Sequence, residues 1–460
     1  MSSPPPLLDN NNDTDDESSD LFSSAVEGIR GSLPILQLSM DTAGPILSPV
    51  EDQMVSTPPS TIPYHTVTKP TGRPDEQFLT VKVTDVQRLG DGMGAYMVYK
   101  VETYTNLPQF KKKSCVLRRF SDFLGLHDRL VEKHLRTGRI IPPAPEKSVL
   151  GMTKLKMGAQ HAEQTSSNYE FIERRKSALE RYLQRTADHP VLGLDAEFRD
   201  FLQNETELPK ATNTSAVSGA GLMRLFNKVG ETVNKITYRM DENDTWFEEK
   251  TQEIECLENN LRKLWCNVET LVHSRKDLAT FSGALARTVA MISNCEEHRL
   301  LALALVHLNG ILEKIEATRH EQANTDFTCL GEFLKDYMSL IGAVKNVFHE
   351  RVKVYQNWQH SQLMLNKKRE YKAKMDLANR SDKGNFASNE IVEWEAKVER
   401  CEEEFNNISQ MIKKEMELFE ENRVFEFKAV FISYLEMQME HVVQLIGFWE
   451  AFLPEAKAIA

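Results

Sequence analysis

From residue 78 the chain alternates between apolar and polar positions. Phe78, Thr80, Lys82 and Thr84 interleave with Leu79, Val81, Val83 and Asp85, which predicts a strand with one buried face. Gly90-Asp91-Gly92 supplies a turn, Ala95-Tyr96-Met97-Val98-Tyr99-Lys100-Val101 a second strand, and Ser114 to Leu117, after Leu107-Pro108, a third. At Ser121 the period lengthens. Phe123, Leu124, Leu126, Leu130 and Leu135 fit one face of a helix capped by Ser121-Asp122. Pro142-Pro143-Ala144-Pro145 requires extended backbone, after which helices are predicted over 168–189, closed by His189-Pro190, and over 195–204. Residues 76–206 therefore read as a small α+β domain with a three-stranded antiparallel sheet plus helices.

A different pattern occupies 214–240. Leu222, Leu225, Phe226, Val229, Val233, Ile236 and Met240 share one helical face, with Arg224, Lys228, Lys235 and Arg239 opposite them and only Glu231 as a counter-charge. Such a helix either packs on a neighbouring bundle or lies in a lipid leaflet, wedging headgroups apart. Beyond it, residues 241–460 carry apolar positions spaced by three and four. Ile254, Leu257, Leu261, Leu264, Val268 and Leu271 form one such seam, and Ile391, Trp394, Val398, Cys401, Phe405, Ile408 and Ile412 another. No proline falls between Pro209 and Pro454, and breaks are expected at Ser282-Gly283 to Ser293-Asn294 and at the polar stretch Ala378 to Asn385. Three helices result, the last two of about 70–80 residues, or roughly 100–120 Å at the α-helical rise. Helices this long predict an elongated all-α bundle whose seam is completed by a second chain.

Composition changes this picture in three ways. The formal net charge of −12 is unevenly spread: residues 1–75 hold 11 acids and 3 bases, whereas 76–205 hold 21 bases and 17 acids, so one basic domain sits between acidic ends. Residues 1–75 also carry 11 of the 18 prolines and few aromatics, which predicts a disordered acidic tail. Its run Asp15 to Phe22, ending Asp20-Leu21-Phe22, is either tail composition or a docking motif for an adaptor. Finally, the six cysteines include no CxxC pair, which disfavours a disulfide framework or zinc site and suits a reducing cytosolic compartment. Met-Ser-Ser-Pro-Pro-Pro lacks the features of a secretory signal, and no apolar run of about 18 residues exists to span a bilayer, so membrane attachment is expected to be peripheral.

Enzyme chemistry finds no foothold. There is no P-loop, GxSxG or HExxH, the twelve histidines are scattered, and His127 and His134 read as helix-surface residues. No catalytic residue, metal site or cofactor is expected. Nucleic acid is disfavoured by the acidic total and by basic stretches without interleaved aromatics. What remains is a set of cations in the small domain: Arg118-Arg119-Phe120 at a strand-to-helix junction, Lys147 after the proline run, and Arg174-Arg175-Lys176 in the next helix. Several cations converging on one pocket suit a phosphorylated ligand, with Arg for bidentate grip and Lys as a point charge. Ser121 adds a hydroxyl and an N-terminal amide. The other reading of these cations is a solvated surface, or pairing with Glu173 and Asp122.

Arg118 to Phe123, Pro142 to Lys147 and Phe171 to Leu183, in this order and spacing, resemble the three signature segments of a PX (phox-homology) domain. The resemblance implies that Arg119 holds a 3-phosphate with Ser121, that Phe120 lies under the inositol ring, that Lys147 meets the 1-phosphate and that Arg175, or Arg174 beside it, meets the 4- and 5-hydroxyls. The implied ligand is phosphatidylinositol 3-phosphate, with the 3,5-bisphosphate left open. Val149, Leu150, Met152 and Leu155, with Lys154 and Lys156, would form an insertion loop beside the pocket. Ser218-Gly219-Ala220-Gly221, Asp244 to Lys250 and the end Trp449 to Ala460 extend the likeness to the PX-BAR sorting nexins. That family implies a BAR dimer, homo- or heteromeric, that senses or induces curvature and works with retromer subunits on the cytosolic face of early endosomes and their tubules. A cluster at the helical hairpin tip, Lys367, Lys368, Arg369, Lys372 and Lys374, would face the membrane. The alternative is a coiled-coil adaptor whose PX-like domain mainly binds protein.

Overall fold

A computed structural model describes residues 77–90, 96–145, 162–206, 208, 240, 244–377 and 381–459. The alternation starting at Phe78 becomes β1 (Leu79–Leu89), followed by β2 (Tyr96–Thr105) and β3 (Lys113–Arg119) in one antiparallel sheet of order β1-β2-β3. A bulge between Val83 and Asp85 resets the β1–β2 register. Leu79, Val81 and Val83 turn inward onto a core with Phe123, Leu126, Leu130, Phe198, Phe201 and Leu202. Helices α1 (Phe120–His134), α2 (Ala162–Asp188) and α3 (Ala196–Gln203) close that core. The outer edge of β1 would expose unpaired backbone groups, and α2 covers it. The Gln184 amide donates to Leu79 carbonyl at 3.1 Å and accepts from Val81 N–H at 2.9 Å, while Glu180 accepts from Val83 N–H at 2.8 Å.

Two local expectations are corrected here. Helix α1 is not capped by Ser121-Asp122: the N-cap is Arg119, and Asp122, one turn in, reaches back to accept the Arg119 N–H at 2.7 Å. His134 is not a surface residue but buried, because the last turn of α1 meets the start of α3. There Asp195 caps α3 by accepting from Glu197 N–H at 2.8 Å and also receives His134 at 2.8 Å and Lys133 at 2.6 Å. Burial pushes the Asp195 carboxyl up, but these partners together hold it below its ordinary value.

The helical region comprises α4 (Thr245–Ser293), α5 (Arg299–Asp326), α6 (Glu332–Leu377) and α7 (Ser381–Lys457). A π turn, Phe327–Gly331, joins α5 to α6 without a loop, so the two act as one long helix. The first break lies at the far end of its expected range, after Ser293. Ser282-Gly283, at the near end of that range, sit inside α4, where a Cβ on Gly283 would come within 2.1 Å of the Glu316 carboxylate of α5. The expected seam also divides. Phe247, Ile254, Leu261 and Val268 point into the bundle with Phe333, Tyr337, Ile341, Ile408 and Ile412, whereas Leu264, Leu271, Leu278 and Leu285 turn outward.

The small domain is docked on this bundle. Arg185 of α2 reaches Asp336 of α6 at 2.7 Å and Glu426 of α7 at 3.0 Å. Burial disfavours the Arg185 charge, yet the two carboxylates outweigh it and raise its pKa well above the usual value. Glu415 of α7 accepts from Ile140 N–H at 3.1 Å and meets His189 Nε2 at 3.0 Å. Because His189 Nδ1 accepts from the N–H groups of Val191 and Leu192, each at 3.1 Å, its proton sits on Nε2, facing Glu415. Gly138, at φ +88°, lies flat against Ile408, where a Cβ would meet its carbonyl oxygen at 3.0 Å.

Candidate phosphoinositide site

The alternation of β3 sends its two last side chains to opposite faces. Arg118 is only 2% exposed. Its Nε donates to the Phe201 carbonyl at 2.9 Å, a terminal nitrogen donates to the Asn204 carbonyl, and its guanidinium lies 5.3 Å from the Phe201 ring. Arg118 is thereby occupied in fastening the end of α3 to the sheet. Burial lowers its pKa, and the Asp122 carboxylate opposes that shift.

Arg119 faces the other way. Its guanidinium sits 3.9 Å from the centre of the Tyr96 ring, and one terminal nitrogen donates to the Tyr96 hydroxyl at 2.9 Å. The sheet register dictates this pairing: Val98 stands opposite Arg119, and Tyr96 is the same-face neighbour two residues along. Ser121 follows in the first turn of α1, half-buried, with Oγ 3.4 Å from Asp122 Oδ1. The α1 N-terminus, with its exposed amides and partial positive charge, adds to the same locality.

Phe120, between them, is buried and joins the two halves of the site. The Arg175 guanidinium of α2 lies 4.2 Å from the Phe120 ring and 4.9 Å from the Phe171 ring. Arg175 is 6% exposed, and its terminal nitrogens are buried without a well-formed hydrogen bond among the described residues. Burial lowers the Arg175 pKa, and the Tyr99 hydroxyl beside it offsets part of that shift. The neighbouring cations are directed elsewhere: Arg174 lies 4.6 Å from Phe327 of the π turn, and Lys176 pairs with Glu173 at 2.6 Å.

Lys147, the insertion-loop residues Val149, Leu150, Met152, Lys154, Leu155 and Lys156, the helix residues Leu222, Leu225, Phe226, Val229, Val233 and Ile236, and Asp20-Leu21-Phe22 all lie outside the described residues. At the hairpin end Lys368 bonds Glu390 at 2.8 Å and Arg369 bonds Glu395 at 2.7 Å, tying α6 to α7, while Lys367 and Lys374 are exposed and Lys372 half-buried. Tyr96, Tyr99 and Phe171 went unassigned in the sequence reading. Tyr96 was within reach of it, because the strand register alone sets it beside Arg119. Among the described residues no group of three or more His, Cys, Asp or Glu side chains is placed to hold a metal, and no helix is long and apolar enough to cross a membrane.

An arginine on the Tyr96 ring and another on the Phe120 ring, beside a helix N-terminus, can hold a phosphorylated headgroup, and the comparisons agree with the class this defines. A PX domain model matches residues 107–205, and a model described as Vps5 C terminal like matches residues 222–455. A PX domain followed by a BAR-type helical region is thus the architecture. Sorting nexin-1 of Rattus norvegicus is 45% identical over 443 residues, covering 96% of this chain and 84% of the relative. Sorting nexin-2 of Bos taurus is 51% identical over 383 residues, covering 83% and 73% respectively. Among solved structures, the cryo-EM structure of the SNX-BAR Mvp1 tetramer is similar with a TM-score of 0.47 at 18% identity, covering 81% of this chain and 99% of that one. The chain belongs to the sorting nexin family, in its PX-BAR form.

Proposed function

We propose that this protein is a peripheral membrane protein that binds phosphatidylinositol 3-phosphate through its PX domain, dimerises through its BAR region and shapes endosomal membrane during retrograde sorting. The observation that carries the headgroup reading is Arg175: a buried guanidinium, flanked by Phe120 and Phe171, with the Tyr99 hydroxyl beside it and terminal nitrogens that complete no well-formed hydrogen bond among the described residues. Buried donors short of acceptors are costly, and ligand oxygens relieve that cost. In this reading Arg119 and Ser121 take the 3-phosphate, Lys147 the 1-phosphate and Arg175 the ring hydroxyls, and a 5-phosphate is tolerated. Vesicle flotation with and without the 3-phosphorylated lipid tests it. Retention that depends on the lipid supports the reading. Equal retention on both vesicles, or none on either, overturns it and leaves the adaptor alternative.

The second element of the proposal is the dimer. Phe281, Leu285 and Met291 of α4, Leu300, Leu303 and Val306 of α5, and Leu435, Met439, Val443, Ile446 and Trp449 of α7 are all exposed, Met291 at 70% and Met439 at 68%. Single exposed apolar residues are ordinary, but series repeated along three helices of one bundle suit a partner of the same kind. Met439→Glu combined with Val443→Glu is expected to convert the sedimenting species to a monomer while helical circular dichroism is retained. An unchanged dimer would place the interface elsewhere.

Residues 222–240 supply the third element, an amphipathic helix that enters the leaflet between the PX and BAR contacts. Glu at both Phe226 and Val229 is expected to abolish tubulation of liposomes by the purified protein without preventing flotation. Undiminished tubulation would remove the wedge from the mechanism. Retromer subunits and a related PX-BAR chain are the partners this reading entails, and the cytosolic face of early endosomes is the corresponding location.

A further inference from the structure

The Arg119 guanidinium stands where its own helix repels it. Arg119 is the N-cap of α1, so its charge lies at the positive end of that helix, beside the amides of the first turn. Asp122, the acid of that turn, is directed to the Arg119 backbone N–H at 2.7 Å and to Ser121 Oγ at 3.4 Å. An arginine side chain also carries considerable rotamer freedom, and one repelled from behind swings out to water. Tyr96 opposes both tendencies. Its ring lies against the guanidinium, 3.9 Å from centre to carbon, and its hydroxyl accepts from a terminal nitrogen at 2.9 Å.

The sheet fixes Tyr96 independently of the arginine it holds. Arg119, the last residue of β3, pairs with Val98, and β2 extends past that pair to Tyr96, which is paired with Leu89 of β1. Positions 96 and 98 share a face, so the Tyr96 ring reaches across the end of β3 to the side on which Arg119 lies. Contact with the ring sets the plane of the guanidinium, and the bond to the hydroxyl sets its rotation within that plane. A planar fork oriented in advance gives up less freedom when it grips a phosphate through two parallel hydrogen bonds. The arrangement has a counterpart on the other face of the strand, where the Tyr99 hydroxyl lies beside Arg175. β2 thus brings an aromatic hydroxyl to each of the two arginines.

We propose that Tyr96 is a positioning residue of the phosphate site: its ring and hydroxyl together hold the Arg119 guanidinium at the α1 N-terminus in the orientation that receives a phosphomonoester. The role rests on the headgroup reading above and deepens it, since it assigns part of the affinity to a residue that carries no charge. Tyr96 acts through Arg119, so its contribution disappears when Arg119 is absent.

The test is a double-mutant cycle in the full chain, read by titration with vesicles containing phosphatidylinositol 3-phosphate and, separately, with soluble inositol 1,3-bisphosphate. Tyr96→Leu is expected to lower affinity about tenfold and Tyr96→Phe, which keeps the ring, about threefold. In the Arg119→Ala background the same two changes are expected to alter affinity by less than about twofold. The order wild type, Phe, Leu is expected with both ligands, because the contact at issue is with the phosphate ester and not with the bilayer. Wild-type affinity in Tyr96→Leu overturns the role and leaves the headgroup reading intact. So does an equal loss with and without Arg119, which makes Tyr96 an independent contact, and so does a loss on vesicles that is absent with the soluble headgroup, which makes it a bilayer contact. If Tyr96→Leu lowers the denaturant midpoint, Tyr96→Phe decides: a loss that vanishes with Arg119→Ala supports the role, and an unchanged affinity overturns it. A wild-type chain that binds neither ligand overturns the headgroup reading and this role together.

Discussion

Arg119→Ala is expected to lower affinity for phosphatidylinositol 3-phosphate vesicles roughly 10- to 100-fold with no loss of folding stability, while Arg118→Ala, one residue earlier, is expected to do the reverse. The contrast follows from the strand alternation that separates them. Arg119 rests on the Tyr96 ring and bonds its hydroxyl, so on the proposed function its removal takes a charge-assisted phosphate contact worth about 1.5–3 kcal/mol and leaves the core untouched. Arg118 holds the Phe201 and Asn204 carbonyls and covers the Phe201 ring. Its removal leaves buried acceptors unpaired and is expected to cost about 2–4 kcal/mol of stability. Flotation titrations and denaturant melts of the two variants, side by side, check this. Equal loss of lipid binding from two stably folded variants would contradict the division of labour.

Arg185→Ala is expected to be the most disruptive single change at the junction between the PX domain and the bundle. It leaves Asp336 and Glu426 short of a cation across a partly buried joint, with Arg181 still near Asp336, and is expected to cost about 1–3 kcal/mol. The expected readout is a PX domain that still binds its lipid but is no longer held on the BAR region, seen as new protease cleavage between them and a weaker dependence of binding on vesicle curvature. Asp336→Asn added to Arg185→Ala should recover part of the loss, because it removes one of the stranded charges. The pH response has a defined sign. Burial raises the Asp336 pKa, but Arg185 and Arg181 outweigh it and hold the carboxyl below its ordinary value. Its contribution is therefore complete above the unfolded aspartate pKa of about 4 and is lost only as pH falls through the depressed value. Mildly acidic conditions should leave this ion pair closed.

Much of this organisation was legible in the chain itself. Period-two alternation located the sheet, the spacing of threes and fours located the long helices, and the absence of proline between Pro209 and Pro454 allowed their length. Other features depend on tertiary partners that no local pattern announces. His134 looked like an exposed helix residue because its partner, Asp195, lies 61 positions away across a packed corner. Ser282-Gly283 looked like a helix break because small residues signal either a turn or a close approach, and here Glu316 on α5 occupies the space a side chain would fill. The PX signature was readable as a set, yet the separate fates of Arg118 and Arg119 required knowing that β3 runs to its final residue. The docking of α2 on the bundle was invisible, since Asp336 and Glu426 resemble any other acid on a charged helix face.

The junction of α5 and α6 also bears on the gene. Ile315 and Phe333 are separated by 18 positions, roughly five full turns of an uninterrupted α-helix. The π turn at Phe327–Gly331 winds in an additional residue between them, an offset of about 100°. A gene that lost the Thr328 codon would still encode every apolar residue of the bundle, and the shortened segment would close as plain α-helix with α6 in the same phase. The same loss further along α6 would turn every residue beyond it by about 100° and present its inner stripe to the wrong neighbours, with no unfavourable substitution anywhere in the sequence.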